Sequence, residues 1–226
     1  MSNALTSVRV WDLPTRAFHW LLLVAVVGLV ISGNVGGSWM TWHFRFGYTV
    51  LALLLFRILW GMVGGRWSRF SQFVRGPGTV LRYLRGQTSP NDPVEIGHNP
   101  VGALSVLAML SLLLLQVACG LVADDEIANV GPLNRFVSSD LAQWATAWHK
   151  GPGKFALIAL VLLHVAAIVY YRVAKQKNLV RPMLGGDKSL PPQTPASRDD
   201  GHTRFLALVL FMGCGAVALA VARLAP

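Results

Sequence analysis

Charge is scarce in this chain. Of its 226 residues only 13% are charged, against 54% hydrophobic, and the mean hydropathy is +0.50. Soluble domains carry about 25% charged residues, so the deficit argues against an ordinary water-soluble fold and points to lipid. Cysteine is nearly absent as well. Cys119 and Cys214 are the only two, both in apolar surroundings. That excludes a CxxC zinc site and a covalent CxxCH haem attachment, and leaves both thiols as packing residues. Acidic residues are missing from every long apolar run, which excludes a carboxylate-bridged di-iron centre. No alternating strand pattern competes with the apolar runs, so the spanning elements are helices.

Crossing a bilayer takes about 20 mostly apolar residues. The runs Phe18–Ser32, Phe44–Val63, Val101–Ala123, Phe155–Val173 and Phe205–Ala222 qualify, the first by borrowing flanking residues. The first is no cleavable signal, because Ile31-Ser32-Gly33-Asn34 is a poor cleavage site. The expected fold is therefore an all-α membrane protein: a four-helix transmembrane bundle over 1–186, a polar, Pro-rich and flexible linker over 187–204, and an extra C-terminal transmembrane helix over 205–226.

The net charge of +10 does not mark a nucleic-acid binder, because the basic residues are dispersed rather than concentrated in one module. Arg66, Arg69, Arg75, Arg82 and Arg85 separate the second and third runs, and a second basic group from Arg172 to Arg204 separates the fourth and fifth. The positive-inside rule then places the N-terminus and both basic loops in the cytoplasm of a bacterial inner membrane protein. The loop from Asp124 to Trp148, with Asp124, Asp125, Glu126 and Asp140, faces outward, as does the C-terminus. Locally, Asp12 is placed to cap the first helix and Pro14 to sit in its first turn. "GNVGGSWMTW" reads as a turn, and the Arg- and aromatic-rich stretch around Gly76-Pro77-Gly78 as short amphipathic pieces on the membrane surface. "QTSPNDPVEIGHNP" reads as a loop. Leu133, Phe136, Val137, Leu141 and Trp144 have the spacing of an outer-surface helix.

Five of the six histidines fall in a span or at its edge. An ionisable residue in a membrane is a functional candidate, although any single edge histidine is as readily a headgroup-zone residue. Topology sharpens the choice. In an up-down bundle His43 and His149 share an outer level, and His19 and His164 an inner one. Fifteen residues at 1.5 Å rise separate the two levels by about 22 Å along the fourth helix, and both of its histidines can face inward. Two facing pairs suit the axial ligation of two haems, whereas zinc wants four ligands at one point. With both axial positions filled, such an iron shuttles electrons and does not bind oxygen. Gly28, Gly33, Gly47, Gly102 and Ala156 offer close approach for a flat macrocycle, or plain helix packing. His98 is placed to meet a haem propionate or a quinone headgroup, with an interfacial structural role as the alternative. Arg57 either snorkels or neutralises a propionate. His202 is ordinary surface.

Four stretches together resemble the bacterial cytochrome b561 and Ni-Fe hydrogenase cytochrome b family: "VWDLPTRAFHW", "HFRFGYTVLALLLFRILWG", "GHNPVGAL", and the two histidines of the fourth helix followed by "NLVRPMLGG". The likeness covers residues 8 to 186. It implies a four-helix bundle with two haem b groups per chain, His19 paired with His164 and His43 with His149. The fourth-helix histidines are usually fourteen apart in that family. Here they are fifteen apart with Gly-Pro-Gly after the first, so a non-helical start or a π-bulge is expected to absorb the register. The fifth helix goes beyond the family's pattern.

The function expected is transmembrane electron transfer between the quinone pool and a periplasmic redox partner such as a c-type cytochrome with a basic face. The Asp124–Glu126 acids would serve as the docking patch. Homo-oligomerisation is left open. Three alternatives stand beside this reading. One is a structural anchor without redox work. Another is a superoxide-oxidising enzyme reducing quinone, with Arg45, Arg135, Lys150 and Lys154 as its basic funnel. The third is the cytochrome b anchor subunit of a hydrogenase or formate dehydrogenase.

Overall fold

The computed structural model describes residues 5–87 and 96–225. Much of the expected loop before the third span therefore lies outside the described residues. The chain is an all-α membrane protein. Among the described residues, five helical stretches are long and apolar enough to cross a membrane: Leu13–Val35, Gly37–Val63, Pro100–Val122, Ser139–Val173 and Gly201–Ala222. Their backbone hydrogen bonds close within each helix, which is what lipid demands of a spanning segment.

Helix α1 (Leu13–Val35) starts five residues before Phe18 and so gains the length that its apolar run lacks. A 3-10 turn, Gly37–Trp39, leads into α2 (Met40–Val63). Gly36 and Gly37 carry φ of 70° and 55° there, a left-handed conformation open to glycine at little cost. Short helices α3 (Phe70–Phe73) and α4 (Pro77–Leu84) follow, then α5 (Pro100–Val122). The fourth span is two helices, not one. The expected outer helix forms only in part: Leu133, Phe136 and Val137 precede it in and around a 3-10 turn, Asn134–Phe136. Helix α6 (Ser139–Lys150) is capped by Ser138, whose hydroxyl accepts from the Leu141 amide. It ends at Gly151 (φ −108°, ψ −108°), and Pro152 restarts the chain as α7 (Pro152–Val173). His149 thus lies in the last turn of α6. The figure of about 22 Å assumed one continuous helix and does not carry over. Helix α8 (Val180–Gly185) and α9 (Gly201–Ala222) complete the set.

Contacts divide the chain into two compact units. The first comprises Met1–Ala17, Arg57–Ala108 and Leu163–Leu208. Strand β1 (Thr6–Arg9) pairs antiparallel with β2 (Asp187–Leu190), with Thr6 opposite Leu190 and Arg9 opposite Asp187. Val10, Trp11 and Trp67 form a buried cluster covered by Ile96, Met183 and Leu190. Asp12 is fully buried and accepts from the Thr15 amide (2.8 Å), Trp60 Nε1 (3.2 Å), the Gly65 amide (3.0 Å) and Ser68 Oγ (3.0 Å). The Ser68 proton is given to Asp12, so the 2.7 Å contact between Thr15 Oγ1 and Ser68 Oγ has Thr15 as donor.

The stretch after α8 is not a loose tether. Its Pro and polar residues read as a solvated linker, yet they find partners on the N-terminal segment and on the turn after α2. Pro195 O accepts from Trp67 Nε1 at 2.8 Å, and Ser197 Oγ donates to Val10 O at 2.8 Å. Asp199 accepts from Arg9 Nη1 (2.9 Å), Arg204 Nε (3.0 Å) and the Leu13 amide (3.2 Å).

The second unit comprises Phe18–Phe56, Met109–Leu162 and Val209–Pro226. Within it α9 buries Cys214 and Ala218, and Phe211 meets Phe56 edge-on at 6.0 Å. Cys119 is buried as well, so both thiols are packing residues. Ahead of α6, Asp125 Oδ1 accepts from the amides of Ile127, Ala128 and Asn129, and Oδ2 from Asn129 Nδ2. The Asn129 side chain, then the Asn129 and Ala128 amides, hold the Asp125 carboxyl well below the usual carboxylate range. The acid locks its own turn.

Two expectations follow. Replacing Asp12 with Ala strands buried donors, each costing about 1–3 kcal/mol. A thermal-melting series should show a loss of several degrees or failure to accumulate. Asp199 answers to pH. Burial raises its carboxyl, but the Arg204 and Leu13 hydrogen bonds and the charges of Arg204 and Arg9 outweigh burial and hold it below its ordinary value. Its stabilisation is complete above the unfolded pKa of about 3.9 and is lost as pH falls through the lowered folded value. Melting temperature should drop across that acid window in the parent. Asp199→Asn should melt lower at neutral pH and show a flatter acid limb.

Candidate haem-binding site

His43 stands in the first turn of α2 and His149 in the last turn of α6. Each ring is anchored through Nδ1 to a backbone carbonyl: His43 to Leu29 O at 3.1 Å, His149 to Gln116 O at 2.8 Å. A carbonyl only accepts, so Nδ1 carries the proton in both rings. Nε2 is left with its lone pair, the state a metal ligand needs. Ser32 Oγ, buried and donating to Gly28 O at 2.6 Å, backs the His43 ring. The two rings meet edge-on, with centroids 6.0 Å apart and planes at 87°. Bonds of roughly 2 Å from one metal to each imidazole are compatible with a separation of this size.

The space around them fits a flat apolar group. A cavity of about 750 Å³ is lined by both histidines, by Leu113, Val117 and Leu157, and by Gly33, Gly47 and Gly120. A Cβ at Gly120 would stand 2.9 Å from His149 Cε1, and one at Gly33 would stand 3.0 Å from His43 Cε1. At Gly47 a Cβ meets nothing within 4 Å. Lys150 and Lys154 also line the cavity and can neutralise carboxylates of a bound group. Among the described residues, no three His, Cys, Asp or Glu converge as a metal cluster.

Of the five small residues picked for close approach, Gly33 and Gly47 line the cavity. Gly28 packs on Phe46, and Gly102 sits beside its capping residue Asn99, whose Oδ1 accepts from the Gly102 amide. Ala156 is exposed. Gly120 and Gln116 escaped the sequence reading. Their signal was one polar residue in an apolar run with a glycine one turn later. Of the four outer cations, Lys150 and Lys154 line the cavity, while Arg45 lies over Trp42 and Arg135 over Phe136.

The other candidates separate cleanly. His19 lies in α1, its ring edge-on to Trp20 at 5.0 Å, and His164 lies in α7, half-buried. Arg57 does not snorkel. It is 3% exposed, with its guanidinium carbon 4.8 Å from the Phe70 centroid and 5.9 Å from that of Phe73. His98 packs on the other aromatics of that cluster, 4.7 Å from Phe73 and 4.8 Å from Trp11. The first unit thus brings Arg57 and His98 together around Phe73. Arg57 Nη1 is buried and makes no hydrogen bond among the described residues.

The sequence model of the prokaryotic cytochrome b561 family matches residues 10–186. The chain is 24% identical over 219 residues to the "Probable Ni/Fe-hydrogenase B-type cytochrome subunit" of Bradyrhizobium diazoefficiens, covering 80% of this chain and 86% of that protein. It is 24% identical over 224 residues to the "Probable Ni/Fe-hydrogenase 1 B-type cytochrome subunit" of Escherichia coli (strain K12), covering 83% and 93%. The corresponding protein of Azotobacter vinelandii is 23% identical over 223 residues, with 84% and 92% covered. With a family match spanning most of its length, and with five membrane-length helices, this chain belongs to the prokaryotic cytochrome b561 family, a family of multi-pass membrane electron-transfer proteins that carry haem b.

Proposed function

We propose that the chain carries electrons through two haem b groups between quinone, bound near Arg57 and His98, and a redox protein. The observation that supports this most is the pair of imidazoles, both held as Nδ1–H tautomers at 6.0 Å beside a glycine-lined cavity. Haem bound there supplies a one-electron couple. His43 and His149 would hold that haem through Nε2, and Leu113, Val117 and Leu157 would wall it from water. Gly33 and Gly120 let the rings stand close to their helices, and Lys150 and Lys154 balance charge at the rim. The second haem rests on His19 and His164, as the family resemblance implies.

Quinone is assigned to the cluster of Arg57, Phe70, Phe73 and His98. Aromatic walls suit a planar ring, His98 can hydrogen-bond a headgroup oxygen, and Arg57 keeps an unspent buried donor. By the positive-inside rule the basic loops favour a cytoplasmic N-terminus in a bacterial inner membrane. The redox partner is a periplasmic c-type cytochrome. A second reading is favoured by the names of the relatives: the partner is a Ni/Fe-hydrogenase and the chain its membrane cytochrome. Capture of the tagged chain from membranes, followed by identification of the bound redox protein, separates the two. Asp125 is committed to its turn, so a docking test uses Glu126 and Asp140, which leave that turn intact.

A pyridine haemochrome assay should give two haems per chain. His149→Ala and His43→Ala should each lose one and keep the other. Gly120→Leu should lose the same haem with all four histidines present. A parent with one haem or none contradicts the reading. For quinone, His98→Ala with full haem content should slow quinol-dependent haem reduction about 10-fold or more, the scale of a lost positioned donor or acid–base group. An unchanged rate moves quinone elsewhere.

A further inference from the structure

The break between α6 and α7 falls two residues after His149. Pro152 has no N–H, and the helical ladder is interrupted at Gly151. The last carbonyls of α6 therefore need partners from outside the helix. For His149 O that partner is the side chain of Gln116, whose Nε2 donates at 3.2 Å. The backbone of the same glutamine serves the same histidine: Gln116 O accepts from His149 Nδ1 at 2.8 Å. One residue of α5 thus holds both the ring and the main chain of His149. Gly120, one turn further along α5, leaves the ring room to approach.

We infer that Gln116 is the positioning residue for His149, and that its amide replaces the helical hydrogen bond lost at the break and so sets the orientation of the imidazole. The inference rests on the reading that His149 ligates haem. Three observations support it beyond the two bonds. Gln116 is only 7% exposed, so its amide is fixed by packing. Its Oε1 is buried without a hydrogen-bond partner, as is Trp148 Nε1. Both atoms lie where a side chain on Gly153 would begin, so position 153 accepts no Cβ without displacing them. A glutamine that only filled space would be bettered by Met, which matches its shape and strands no acceptor. The stranded oxygen of Gln116 is offset by its amide nitrogen, which reaches His149 O, one of the carbonyls that the break leaves open.

The test is Gln116→Met, with Gly153→Ala as an independent way to push the amide off His149 O. Each is purified with its haem and compared with the parent in three measurements: melting temperature, low-spin EPR signal, and haem transfer to excess apomyoglobin. Ring planes at 87° make the EPR signal of this haem sensitive to ligand rotation. The expected result for Gln116→Met is a melting temperature close to that of the parent, because the stranded Oε1 goes while His149 O loses its donor. One of the two EPR signals should shift, and that haem should leave about 10-fold faster, the usual scale for losing a partner of a metal ligand. Gly153→Ala should shift the same signal. If both variants match the parent in EPR and haem transfer, Gln116 is a packing residue and the inference falls. If Gln116→Met does not accumulate, Gly153→Ala alone decides by the same criteria. Failure of the underlying reading looks different: His149→Ala would then keep the parent's full haem content.

Discussion

A histidine in an apolar helix can ligate metal only if one ring nitrogen is deprotonated and the other is satisfied. Here a backbone carbonyl meets that need twice, Leu29 O for His43 and Gln116 O for His149. Much of the second unit follows from those two bonds. For a ring to reach a carbonyl on a neighbouring helix, that helix must come close. Gly33 and Gly120 stand where a methyl group would crowd the rings. The same closeness opens the cavity between them, because glycine gives no side chain to fill it. Ligand chemistry, helix packing and the bound group's space are one constraint seen at three scales.

The first unit meets a related problem with acids. A chain so poor in charge cannot leave buried carboxylates idle. Asp12 gathers four donors, from α1, from α2 and from the turn after it, and so fixes where two helices begin and end. Asp199 gathers Arg9, Arg204 and the Leu13 amide, and joins β1, α1 and the entry to α9. In both cases hydrogen bonds, more than bare charge pairing, make burial tolerable. The C-terminal helix is accordingly tied to the N-terminal segment by its own entry sequence.

Much of this was legible in the sequence. The spans were visible because lipid selects composition, and composition needs no tertiary information. Asp12 and Pro14 announced the start of α1 because capping is local. The histidines stood out because an ionisable group is rare among Leu and Val. What stayed hidden depends on partners far away in the chain. The linker looked solvated because Pro195, Ser197 and Asp199 are polar, and nothing local tells that Trp67, Val10 and Arg9 receive them. Arg57 was ambiguous because its environment is made by Phe70 and Phe73, which lie beyond the end of its own helix. Gln116 passed as a lone polar residue, since its value depends on where α6 stops.

That stopping point is also where helical arithmetic misleads. Fifteen residues counted as one helix give a rise and a rotation, and both presuppose an unbroken ladder. Gly151 and Pro152 remove that premise, so the direction of His149 no longer follows from the register of α7. A ligand on a frayed helix end would rotate with its last turn, because terminal carbonyls and amides hold it only through water or side chains. Bonds from α5 to both the ring and the carbonyl of His149 replace that lost reference. The direction of His149 is therefore set from α5, through the two groups of Gln116 that hold its ring and its carbonyl.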